Sequence, residues 1–126
     1  MITEHDSQVS LFDWIDTYKI VYPQLECAFA IPNGGFRHIV TAMRLKAEGV
    51  RAGVPDIFIA YPMNKKHGLF IEMKVGKNKP TENQKEWLFR LAKNGYAVFT
   101  CYSWIEAART ICEYLNLPKS IVPEEI

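Results

Sequence analysis

Three cysteines are all that this chain of 126 residues contains. Cys27, Cys101 and Cys112 are odd in number, and no two stand in a C-x-x-C spacing. That excludes a disulfide scaffold and a zinc ribbon, and suits reduced thiols in a cytoplasm. No apolar run approaches the length of a membrane span. The first residues, MITEHDSQ, have neither a basic n-region nor an apolar h-region, so no secretory signal is expected. Internal repeats, low-complexity stretches and linker-like segments are also missing. So are a glycine-rich phosphate loop, a Ser-His-Asp arrangement and a Cys-His pairing. His5, His38 and His67 have no metal-ligand spacing and read as surface residues.

What is present fits one globular domain over residues 1–126. The composition is 48% hydrophobic and 23% charged, typical of a folded soluble chain. The net charge of +1 hides an uneven distribution. From Arg37 to Lys93 there are twelve Lys/Arg against five Asp/Glu, a local +7; the remaining three basic and nine acidic residues give −6. A basic middle with acidic ends could be an anion-binding face, but charges scattered over solvated helices would read the same way.

Hydrophobic periodicity gives the element order α, β, α, β, β, α, β, α. The first helix has Thr3 as N-cap, a stripe of Leu11, Trp14, Ile15 and Tyr18, and Pro23 beyond its end. CAFAIPNGG reads as a short strand entering a turn. FRHIVTAMRLKAEG is a second helix, with Ile39, Val40, Met43 and Ala47 expected inward and Gly49 as its C-terminal stop. DIFIAY and GLFIEMKV are strands joined by the polar turn PMNKKH, which implies an antiparallel hairpin. In the third helix Thr81 and Gln84 have capping-box spacing, with Trp87, Leu88 and Leu91 as the buried stripe. YAVFTCY is a strand, and the last helix starts at Ser103, whose spacing to Glu106 suggests another capping box. Trp87 and Trp104 are expected in the core. A crossover from GLFIEMKV through a helix to YAVFTCY suggests a parallel pair. The expected fold is an α/β/α sandwich around a small mixed sheet.

The hairpin carries the chemistry. Side chains alternate along a strand, so Phe70, Glu72 and Lys74 share one face, and Leu69, Ile71, Met73 and Val75 the other. Asp56 opens the neighbouring strand, behind Gly53-Val54-Pro55, at the end far from the turn. Two carboxylates and an ammonium thus converge. One reading is a salt bridge of Lys74 on a solvent-facing strand. The other is a hard-cation site, since Mg²⁺ takes one or two carboxylates plus water and substrate phosphate oxygens. The carbonyl of Met73 could add an oxygen, and Lys74 could orient a water or neutralise a phosphate.

Pro55-Asp56 followed by Glu72-Met73-Lys74 matches the PD-(D/E)xK nuclease pattern. With IPNGG, KAEGVRAGVPDIFIA and GLFIEMKVGKNKPTENQKEWLFRLAKNGYAVFTCYSWIEAARTICEYL, the chain resembles the VRR-NUC branch, in its short, stand-alone, phage-type form. The resemblance runs from about Glu4 to Leu115. It implies a restriction-endonuclease-like fold and a Mg²⁺- or Mn²⁺-dependent DNA endonuclease. Asp56, Glu72 and the Met73 carbonyl would be metal ligands, and Lys74 the catalytic lysine. A glutamate on the first helix often faces the metal in this family, and Glu4 matches it, with Gln8 a turn further on. A first-turn acid serving the helix dipole explains Glu4 equally. Gln84 matches a family glutamine, and its capping-box role explains it as well. Asn33, Arg37, Lys77 and Lys79 are candidates for DNA contact, although Asn33 is also what a turn demands. The resemblance further implies a homodimer acting on branched DNA, with four-way (Holliday) junctions as substrate and roles in DNA recombination and repair. The location would be the cytoplasm, of a bacterial host if the chain is phage-encoded. Alternatives are a flap or nicking nuclease guided by a partner, and a non-catalytic DNA-binding module of the same fold.

Overall fold

The structure, a computed structural model, describes residues 1–32 and 39–125. Asn33, Arg37 and His38 lie outside the described residues. Among the described residues four helices, α1 (Glu4–Tyr18), α2 (Ile39–Ala47), α3 (Glu82–Lys93) and α4 (Trp104–Leu115), flank four strands. The strands are β1 (Ala28–Ala30), β2 (Ile57–Ile59), β3 (Leu69–Met73) and β4 (Ala97–Cys101). They lie in sequence order, with β1–β2 and β2–β3 antiparallel and β3–β4 parallel. The order of helices and strands is the expected one. Two short 3-10 turns, Pro23–Cys27 and Lys119–Ile121, were not foreseen.

Local chemistry sets the boundaries. Thr3 caps α1 reciprocally with Asp6, and Thr81 caps α3 reciprocally with Gln84. Ser103 Oγ accepts from Glu106 N at 3.1 Å. The second half of the expected capping box is absent here, and the Ser103 hydroxyl donates to Glu125 instead. Beyond α2, Gly49 at φ +103 closes a Schellman motif, with Gly49 N bonded to Lys46 O and Val50 N to Leu45 O. The β2–β3 hairpin turns at Asn64 and Lys65, both left-handed, between the doubly bonded Met63 and Lys66. Two such residues in a row are the mark of a type I′ turn, whose twist matches that of the strands.

The core lies on one face of the sheet. Leu11, Trp14 and Ile15 of α1 and Ala107, Ala108, Ile111 and Leu115 of α4 pack on Ile57, Ile59, Leu69, Ile71 and Met73. The opposite face carries Phe70, Glu72 and Lys74, and α3 stands over it, touching Glu72 through Gln84 and leaving a cleft beside Phe70. Every residue of β3 is therefore buried, as expected of a strand covered on both sides.

Two expected inward faces are corrected. Ile39, Val40 and Met43 of α2 are 70%, 55% and 66% exposed, and Ala47 is exposed too. A 3.6-residue period identifies an apolar side but does not say that the sheet reaches it. In α3, Trp87, Leu88 and Leu91 face inward yet are only half-buried, because a cleft separates this helix from the sheet. Trp87 is thus half-buried, Trp104 at the start of α4 is half-buried too, and Trp14 is the tryptophan of the core. His5 and His67 are exposed, as expected.

Candidate active site

The register of the hairpin builds the site. Ile57 pairs with Ile71, so the preceding Asp56 comes level with Glu72. Asp56 is tied on both sides. Its carbonyl accepts from Ile31 N at 2.7 Å, and its Oδ2 accepts from Met73 N at 2.7 Å. The N–H and C=O of one strand residue point to the same edge, so the Met73 carbonyl also faces the Asp56 side. On the other side of β3, Thr100 of β4 pairs with Glu72. Asp56, Glu72 and Thr100 form a row across three adjacent strands.

Gly53 sets how close Asp56 comes to α3. Its φ is +90, and a Cβ there would lie 2.9 Å from Asn83 backbone atoms. The chain entering β2 therefore lies against the first turn of α3, beside Gln84.

Gln84 serves two partners at once. Its Oε1 accepts from Thr81 N at 2.8 Å, completing the helix cap, while its Nε2 donates to Glu72 Oε2 at 3.1 Å. Capping and site contact, open alternatives in the sequence, are both present. One end of the amide stays on the cap and fixes the other end on the carboxylate.

Glu72 is 1% exposed and Lys74 8%, so this is not a solvent-facing surface pair. Lys74 Nζ stands 3.8 Å from Glu72 Oε2, too far for a strong hydrogen bond. Glu72 Oε1 is buried and has no hydrogen-bond partner among the described residues. Burial and the charge of the neighbouring Asp56 push the Glu72 carboxyl up from 4.5 to about 8. Lys74 opposes this rise, and Glu4 adds to it. Glu4 thus acts on the site electrostatically from the N-terminal end of α1, where it and Gln8 are half-buried.

A buried carboxyl oxygen of this kind is met either by a proton, which the raised Glu72 carboxyl keeps at neutral pH, or by a cation that displaces it. The donors around it are hard oxygens from Asp56, Glu72 and the Met73 carbonyl, which suits Mg²⁺ or Mn²⁺. Among the described residues, no group of three or more His, Cys, Asp or Glu could hold a metal ion. Glu4 does not close with Asp56 and Glu72 into such a cluster. A cation here would take two carboxylates and complete its shell from carbonyl, water and substrate.

The VRR-NUC domain model matches residues 3–104, four-fifths of the sequence. The chain belongs to the VRR-NUC family. A solved structure of a VRR_NUC domain protein is similar at 29% identity, with a TM-score of 0.79, over 93% of this chain and 91% of that one. No curated protein matches. VRR-NUC membership carries a nuclease-type function, and the α/β fold with a four-stranded mixed sheet agrees with that relative. Among the described residues no helix is long and apolar enough to cross a membrane.

Of the other VRR-NUC site candidates, Lys77 and Lys79 are exposed on the loop from β3 to α3, which also holds Lys74. Thr100 and Gly53 escaped sequence reasoning. The parallel register that brings Thr100 beside Glu72 leaves no local signal, and the contact of Gly53 with Asn83 spans thirty positions.

Proposed function

We propose that this chain is a metal-dependent endonuclease that hydrolyses phosphodiester bonds in branched DNA, with four-way junctions as its substrate. The observation that carries this reading is the buried Glu72 Oε1, orphaned beside Asp56, with Lys74 on the same face. Such a group is costly to keep unless something binds it.

Asp56, Glu72 and the Met73 carbonyl hold Mg²⁺ or Mn²⁺ in this proposal, with Glu4 adding negative charge from α1. When bound, the cation supplies charge neutralisation at the scissile phosphate and makes a water more acidic. Lys74 donates to a phosphate oxygen or orients the attacking water, and its loose 3.8 Å approach to Glu72 leaves it able to do so. Gln84 fixes the Glu72 carboxylate through Oε2 and leaves Oε1 to the cation. Lys77 and Lys79, with the basic middle of the chain, bind phosphates.

A four-way junction offers two-fold related strands, so two sites are needed, and we assign the second to a second copy of the chain. The exposed Ile39, Val40 and Met43 of α2 support this, since apolar patches on a surface are commonly covered by a partner.

The test offers four-way junction, flap, duplex and single-stranded DNA, with Mg²⁺, Mn²⁺ or EDTA, to the wild type and to Lys74→Ala. Junction cleavage that needs metal and Lys74 is the expected result. No cleavage in any metal, or equal cleavage by Lys74→Ala, refutes the catalytic reading. Cutting of flaps with intact junctions refutes the resolvase assignment alone, and a monomer in light scattering removes the second copy.

A further inference from the structure

We infer that the cleft beside the candidate active site is a pocket for an unpaired nucleobase of the DNA strand being cut. This rests on the nuclease reading and deepens it, by stating what the substrate must offer next to the scissile phosphate. The cleft is open to solvent and holds about 490 Å³ between α3, the end of α2 and the sheet. Phe70, Trp87, Leu91, Val50 and Val54 line it, with Glu48 and Arg51 among the polar residues.

Its position is the first argument. Phe70 lies two residues before Glu72 on the same face of β3, about 7 Å away at the usual strand rise. Trp87 lies three residues after Gln84, so the two share one side of α3. The cleft and the carboxylates are thus consecutive rows under the same helix, and a nucleotide adjoining the cut phosphate reaches from one to the other.

Its chemistry is the second. Trp87 brings an aromatic ring to the cleft beside Phe70, which is itself stacked on Phe58 with ring centroids 4.2 Å apart, and stacking on an aromatic ring accepts any base. The Arg90 guanidinium lies over the Trp87 ring, 4.6 Å from its centroid, and steadies that ring. Arg51 donates to Lys46 O at 3.3 Å and is exposed. Its remaining donors and the Glu48 carboxylate suit the polar edge of a base. Arg44 and Lys46, exposed on the last turn of α2, suit the backbone that carries it. A base inside a continuous duplex would have to leave its stack to enter, whereas an unpaired one pays little. The pocket therefore favours flaps and single strands over duplex, and favours a four-way junction only through a base opened at its crossover.

The test has a cleavage arm and a binding arm. In the first, branched DNA carries an abasic nucleotide at each position flanking the cut phosphate in turn, with Mg²⁺. One position should lower cleavage about tenfold, as expected for one lost stack. Trp87→Leu should lose as much on intact DNA and ignore the abasic change, and Trp87→Phe should restore both. Equal cleavage of every abasic substrate, or a Trp87→Leu variant that still senses the missing base, overturns the inference while the nuclease reading stands. In the second arm, 2-aminopurine replaces the unpaired base and Lys74→Ala binds the DNA without cutting it. Quenching that disappears when Trp87→Leu is added supports the pocket even if no DNA is ever cut, an outcome that would sink the nuclease reading alone. Fluorescence unchanged by the protein overturns the pocket. A change of mass for Trp87→Leu in light scattering, with no fluorescence response, would give the cleft to a second copy and overturn it too.

Discussion

Replacing Glu72 by glutamine should make the metal-free protein more stable while removing the group proposed to hold the cation. The Glu72 carboxyl is raised from 4.5 to about 8 by burial and by Asp56. A carboxyl raised on folding keeps its proton in the native state after the unfolded chain has released it. Its effect on stability is therefore most favourable below pH 4.5 and is lost as pH rises from 4.5 towards 8. At about 1.4 kcal/mol per pH decade, the loss at pH 7 is on the order of 3 kcal/mol. Glutamine matches the neutral carboxyl in shape and does not titrate. In EDTA, Glu72→Gln should thus equal the wild type near pH 4 and exceed it by about 3 kcal/mol at pH 7. For a domain of this size that is a Tm difference on the order of 10 °C. The assay is a pair of thermal melts across pH 4 to 9, read as the difference between variant and wild type, so that other titrating groups cancel. Mg²⁺ should raise the Tm of the wild type and leave the variant unmoved. A difference that stays flat from pH 4 to 9 would refute the reasoning, because it would mean that the site does not strain the Glu72 charge.

Gly53→Ala forces a left-handed backbone on alanine and sets its Cβ 2.9 Å from Asn83 backbone atoms. A loss of about 2 kcal/mol or more is expected in denaturant unfolding, with cleavage falling further as Asp56 shifts. Gln84→Ala removes both the return bond to Thr81 N and the bond to Glu72 Oε2. It should cost about 1–2 kcal/mol and lower cleavage, and a Thr81→Ala variant with equal stability loss but normal cleavage would separate the two roles. The double variant Lys77→Ala, Lys79→Ala should weaken DNA binding without base preference. The log–log salt slope measured by anisotropy should drop by about 2. An unchanged slope would remove these lysines from the DNA surface.

The order of helices and strands, though not the two 3-10 turns, and several of their ends were legible in the chain alone. Thr3, Thr81 and Gly49 mark helix boundaries through hydrogen bonds that span a few residues, so their signals are local. The sequence by itself also determined which face of β3 carries Phe70, Glu72 and Lys74, because strand alternation is a property of the backbone. The hairpin, through its two-residue turn, then brings Asp56 level with Glu72. Tertiary structure alone decided which apolar faces find a partner. Periodicity cannot see whether a sheet reaches across, which is why Ile39, Val40 and Met43 remain exposed and Trp87 borders a cleft. It also decided burial on the charged face of β3. Only when α3 closes over Glu72 and Lys74 does a possible surface salt bridge become a desolvated carboxyl with an orphaned oxygen, because desolvation depends on everything packed around a group rather than on its neighbours in the chain.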